Sequence, residues 1–171
     1  MPVFRAKPED VRILNGTPGP VSRWAGSYPM VANAGMFNMD SGAVVGALVT
    51  EGKVVNRYPI NWPLFLISAG KASVHPGNSW REYWDLDNAR QAVSCAPLLV
   101  WDGKPTDLTK EHGISNMSAS STRPNDRTGR TAVGVDKDGN VILVVEEAKT
   151  MKELQDILVA AGAVAAINLD G

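Results

Sequence analysis

Residues 130–171 read RTAVGVDKDGNVILVVEEAKTMKELQDILVAAGAVAAINLDG, and the fold is decided there. Val133 and Val135 alternate with small residues, Asp136 to Asn140 carry turn chemistry, and Val141 to Val145 form a continuous apolar run. Two β-rich runs around an Asp/Gly/Asn cluster predict a hairpin. A helix follows, because Thr150 is a good N-cap and Glu153, three positions on, completes a capping box. Met151, Leu154, Ile157, Leu158 and Ala161 then share one helical face, and Gly162 is placed to end the helix in a left-handed turn. Val164 to Leu169 is short and apolar enough for a buried strand, which leaves Asp170 at its mouth. Where helices cover a sheet, strand mouths are where ligands commonly sit.

Upstream the pattern is again hairpins. Val44 to Thr50 and Lys53 to Asn56 flank Glu51-Gly52, and Leu64 to Ser68 and Lys71 to Val74 flank Ala69-Gly70. Pro97 to Trp101 followed by Asp102-Gly103 reads as a strand and turn, while Ala89 to Cys95 is ambiguous. Residues 1–29, rich in Pro and Gly, are expected to be an irregular arm with one short strand at Val11 to Leu14. Met30 to Asn33 is expected to be a strand. Residues 104–129, dense in Ser, Asn, Thr, Pro and Arg, form a long loop that feeds into Arg130. Loops of this length in a compact domain are usually functional or mobile, so an active-site flap is expected. The fold class that follows is α+β: a mixed, mostly antiparallel β-sheet built from hairpins with few helices packed on it. One domain over residues 1–171 accounts for the whole chain.

Composition narrows the function. A formal net charge of -1 argues against a nucleic-acid partner or a charged membrane surface. No apolar run approaches membrane-spanning length. The single Cys95 excludes an internal disulfide and, beside Ala96 and Pro97, reads as a buried small apolar residue. Met1 to Asp10 lack the basic-then-apolar layout of a signal peptide. The expected localisation is therefore cytoplasmic when made, or within a phage particle or a larger exported protein. His75 and His112 lack metal-ligand spacing. Asp136, Asp138, Asn140 and Glu147 approach a calcium-loop spacing, but the glycine sits too early and a hairpin turn is expected instead. There is no P-loop, dinucleotide motif or serine elbow. No metal or cofactor is expected. Trp80 and Trp84, at helical spacing, read as packing before a sugar platform.

Three motifs remain: Asn33-Ala34-Gly35-Met36-Phe37, Arg130-Thr131-Ala132-Val133-Gly134 and Asn168-Leu169-Asp170-Gly171. In order and spacing they resemble the phosphodiester glycosidase family, the family of the lysosomal uncovering enzyme, over most of the chain from about Asn33 onward. The chain departs from the family pattern twice. Its last motif stops at the first glycine, before Gly-Gly-Ser, and Glu146-Glu147-Ala148 stands where many relatives have Val-Asp-Gly.

On its own, Asp170 reads as a turn or capping residue. The resemblance makes it the best catalytic candidate, since cleaving a glycosyl phosphodiester builds positive charge at the anomeric carbon that a carboxylate must stabilise or attack. Glu146, Glu147 and Asp40 are open for the second carboxylate, with Glu146 the one taken forward. Arg130 is either the phosphate clamp, gripping oxygens in a bidentate fork, or a solvated arginine at a strand start. Gly35 and Gly171 could contribute backbone N–H groups to an anion nest. Asn33, Gly35 and Asn168 would line the sugar pocket, or the asparagines simply cap turns, and Thr131 is a further substrate-binding candidate. Two functions follow: a hydrolase of sugar-1-phosphodiester or related glycosidic linkages, or a carbohydrate-binding or structural module that kept the fold within a cell-surface or phage-particle assembly. Partners would be a carbohydrate or glycosyl phosphate, with homo-oligomers or larger assemblies left open.

Overall fold

The C-terminal hairpin forms, and it is the spine of the molecule. In the computed structural model, which describes residues 3–15, 21–24, 26–57, 61–77, 86–110 and 123–170, its strands are β9 (Thr128–Val135) and β10 (Val141–Lys149). Asp136 closes the turn between them: its Oδ1 accepts from the backbone N–H groups of Asp138 and Asn140. Burial alone would raise the Asp136 pKa, but these bonds, the Asn140 side chain and the Arg5 charge outweigh it and hold the carboxyl below its ordinary value.

The helix α1 (Met151–Ala160) begins where the capping box requires. Thr150 Oγ1 accepts from Glu153 N at 3.2 Å, and Glu153 Oε2 accepts from Thr150 N at 2.9 Å. Gly162, at φ 81°, follows its end. Strand β11 (Ala165–Leu169) then returns antiparallel to β9 and is buried along its whole length.

The remaining strands are β1 (Val3–Ala6), β2 (Leu48–Thr50), β3 (Lys53–Asn56), β4 (Leu64–Ser68), β5 (Lys71–His75), β6 (Gln91–Ser94), β7 (Leu98–Trp101) and β8 (Lys104–Pro105). They assemble into two sheets, one ordered β1-β10-β9-β11-β7-β8 and the other β3-β2-β6-β4-β5. Every strand pairing among the described residues is antiparallel. The expected α+β fold is thus built as a helix on a six-stranded sheet on a five-stranded sheet.

Alternation along the strands distributes the core. Val133, Val135, Val141, Ala165 and Ile167 meet Leu48, Phe65, Ile67, Val74 and Val93 between the sheets. Ala132, Ile142, Val144 and Ala166 point the other way, onto Met151, Leu154 and Leu158 of α1. Each such leucine contributes about 1.5–3 kcal/mol by leaving water. Gln155 is also buried there, and its Nε2 donates to Leu99 O and Thr106 O, which fastens α1 to the far edge of the sheet.

Three expectations are corrected. No strand forms at Val11 to Leu14; Val3–Ala6 is the strand instead, because the open edge of β10 takes it in register from Val144 to Val141. Residues 11–13 are held by side chains, with Arg90 donating to Val11 O and Gln91 accepting from Ile13 N. Met30 to Asn33 is not a strand either; just after it, Ala34 O accepts from the N–H of Asp170, the residue that follows β11. The predicted long loop loses both ends to structure, Lys104–Pro105 as β8 and Thr128 onward as β9, and residues 111–122 lie outside the described residues. Trp80, Trp84 and His112 lie outside them as well.

Candidate active site

The second and third motifs sit on neighbouring strands. Register pairs Asn168 with Ala132 and Leu169 with Thr131, so continuing it by one residue brings Asp170 level with Arg130. On the other side of β9, Arg130 pairs directly with Glu146 of β10. On that extrapolation Glu146, Arg130 and Asp170 fall at one level on three neighbouring chain segments, Asp170 one residue past the end of β11. Two strand spacings separate the outer backbones, about 10 Å. Alternation puts Arg130 and Glu146 on the α1 face, in step with Ala132 and Val144.

Arg130 is not a solvated strand-start residue. It is 1% exposed, and its guanidinium donates to Lys149 O from Nε at 3.0 Å and to Arg123 O and Asp126 O from Nη2, both at 2.7 Å. Burial lowers its pKa, an effect opposed by the Asp126 carboxylate. The arginine thus ties residues 123–126 to the end of β10, where Met151 N also donates to Pro124 O. The neighbouring N-terminus of α1 is closed by that bond and by the capping box.

Glu146 Oε1 is buried without a hydrogen-bond partner. Buried polar atoms are nearly always satisfied, so an orphaned carboxylate oxygen on the residue paired with buried Arg130 marks the spot. A register shift follows at once, between Glu146 and Lys149, with Ala148 at φ 50°. Bulges of this kind re-aim side chains at strand ends. Glu147 is exposed, and Asp40 lies on an exposed turn whose N–H groups bond Asn38 Oδ1.

The first motif comes to the same end of the sheet through Asp170 N and Ala34 O, 2.9 Å apart. Beneath it lies Cys95, fully buried, its thiol pushed up to about 12 by burial and surrounded by the backbones of Ala96, Met36 and Asp170. The sequence reading of Cys95 as a buried apolar residue holds, but nothing local in the sequence signals that it sits under two motifs at once. A Cβ at Gly35 would lie 3.0 Å from the Val93 side chain, so a larger residue there needs Val93 to give by a few tenths of an ångström.

The other predicted residues divide. Asn33 is exposed. Asn168 is fully buried and donates from Nδ2 to Ala96 O at 3.1 Å. Thr131 is buried and alternates with Arg130, so its side chain faces the inter-sheet core with Val133. Gly171 lies outside the described residues. His75 Nε2 bonds Ser73 Oγ at 2.9 Å, and burial lowers its pKa. Among the described residues no cluster of three or more His, Cys, Asp or Glu side chains is placed to hold a metal, and no helix is long and apolar enough to cross a membrane.

No curated protein matches the chain in sequence. Among solved structures, the catalytic domain of zebrafish N-acetylglucosamine-1-phosphodiester alpha-N-acetylglucosaminidase, auto-inhibited by its pro-peptide, is similar at a TM-score of 0.65 and 23% identity. The match covers 81% of this chain and 49% of that one, so this chain spans about half the length of that structure. A hypothetical protein from Synechocystis matches at a TM-score of 0.48 and 16% identity, over 81% of this chain and 45% of that one. The family model described as phosphodiester glycosidase matches residues 27–171, which takes in all three motifs. On that match, the chain belongs to the phosphodiester glycosidase family.

Proposed function

We propose that this protein hydrolyses a glycosyl-1-phosphodiester or a related sugar-phosphate linkage, with Asp170 and Glu146 as its two carboxylates. The observation that supports the proposal is the strand register, which pairs Glu146 with Arg130 and Leu169 with Thr131, one residue short of Asp170. In the reaction the C1–O bond breaks, water supplies the oxygen that ends on C1, and the phosphate oxygen leaves as a phosphomonoester. Asp170 acts at the anomeric carbon as nucleophile or as acid/base, and Glu146 is its partner. Arg130 supplies positive charge for the phosphate and keeps residues 123–126 in place. Asn33, exposed, meets sugar hydroxyls, Gly35 and Asn168 hold the walls of the pocket, Thr131 supports them from the inter-sheet core, and Gly171 adds a backbone N–H.

The name of the zebrafish protein makes N-acetylglucosamine the first sugar to try. A folded full-length protein that releases no sugar from a panel of glycosyl-1-phosphodiesters would refute the proposal. One observation favours the alternative, a carbohydrate-binding or structural module: three backbone carbonyls already engage the Arg130 guanidinium. Binding of a glycosyl phosphate without turnover would select that alternative.

A further inference from the structure

At the end of the molecule opposite the three motifs, the two sheets part to leave a crevice of ≈ 350 Å³. Its floor is apolar, from Ala72, Val135 and Ala165. One wall is the Trp101 side chain, 42% exposed. The rim carries both charge signs, Lys71 and Lys137 against Asp102, Asp136 and Asp138, with Lys137 paired to Asp138. We propose that this crevice is a saccharide-binding site, separate from the catalytic row and independent of whether the chain hydrolyses anything.

The chemistry of the lining selects the ligand class. A pyranose has an apolar C–H face that lies flat on an indole, and an indole supplies that area with little rotamer freedom to lose. Its rim of hydroxyls both donates and accepts, which matches a lining that holds both ammonium donors and carboxylate acceptors. An anion would meet three carboxylates and a cation two ammonium groups, whereas a neutral polyol meets no like charge. The volume lies at the small end of the range for ligand sites, about 300–1,000 Å³, which suits one or two rings.

The walls are also fixed in advance, which lowers the cost of binding. Ala72 N donates to Gly139 O at 3.3 Å and ties the β9–β10 turn to the edge strand β5 across the crevice. Gly103 N donates to Val164 O at 2.9 Å and pins the turn after Trp101 to the start of β11. Along β9, Val135 is five residues from Arg130, about 17 Å at strand rise. A monosaccharide held here cannot touch the row; it is a second site.

The test is a titration of the isotopically labelled full-length protein, followed by backbone and indole N–H resonances. The probes are glucose, N-acetylglucosamine, maltose, cellobiose and chitobiose. At least one should move Ala72, Gly139, Val164 and the Trp101 indole together. Trp101→Ala should weaken that binding at least tenfold, as should Lys71→Met if the first variant fails to fold. Asp170→Asn should leave these shifts intact, which separates failure here from failure of the proposed hydrolysis. The proposal is overturned if no saccharide moves these signals, if the shifts persist unchanged in the folded variants, or if only an apolar dye enters the crevice.

Discussion

Replacing Arg130 tests whether the centre of the row is a structural brace or a surface clamp. Arg130→Met removes the donors serving Lys149 O, Arg123 O and Asp126 O. Hydrogen bonds from a charged group contribute about 1.5–3 kcal/mol each, and an unsatisfied buried carbonyl costs about 1–3 kcal/mol. Arg123 and Asp126 lie near the surface, so water can reclaim part of that loss. The expected net destabilisation is about 2–4 kcal/mol. With a urea slope of about 2 kcal/mol/M, the unfolding midpoint should fall by about 1–2 M. Arg130→Lys should behave almost as badly, because a single ammonium cannot span carbonyls from two segments. Urea denaturation followed by circular dichroism reads both. Midpoints within about 0.3 M of the parent for both variants would refute the brace and leave Arg130 as a residue that acts only on a ligand.

Other outcomes follow from local geometry. Thr150→Ala removes the N-cap of α1 and should cost about 1 kcal/mol in thermal or urea unfolding, whereas Thr150→Ser should cost little. The Glu153 carboxyl is held below its ordinary value of 4.5, chiefly by the Thr150 N–H and also by Arg127. A depressed carboxylate stabilises the fold above its unfolded value, and that contribution disappears as pH falls through the folded value. The gap in unfolding midpoint between the parent and Glu153→Gln should therefore be full near neutrality and shrink to nothing in strong acid; a gap independent of pH would contradict the capping account. Cys95, with its thiol pushed to about 12, should resist a thiol reagent in the native protein and react fully once denatured. Leu158→Ala, in the closed layer under α1, should cost about 2–5 kcal/mol.

The parts legible in the sequence were those specified locally. The capping box, the Asp136 turn and the apolar β11 run each carry their own chemistry within a few residues. The choice between Val3–Ala6 and Val11–Leu14 depends instead on which segment reaches the open edge of β10, a contact about 140 residues away in the chain. The placement of Arg130 was legible only as a motif. Its burial was not, because its partners are backbone carbonyls, which every residue has and no residue type announces. Glu146 is taken forward over Glu147 and Asp40 with no local signal to rank them; register pairs it with Arg130, while Glu147 and Asp40 are exposed. Trp101 gave no signal at all, since its crevice exists only between two sheets.

The most direct test is chromatographic measurement of free sugar released from N-acetylglucosamine-1-phosphodiesters by the full-length protein and its Asp170→Asn variant. Release by the parent, with a loss of at least about a hundredfold in the equally folded variant, is the predicted result. Equal rates in the two proteins, or no release by a folded parent, would contradict it.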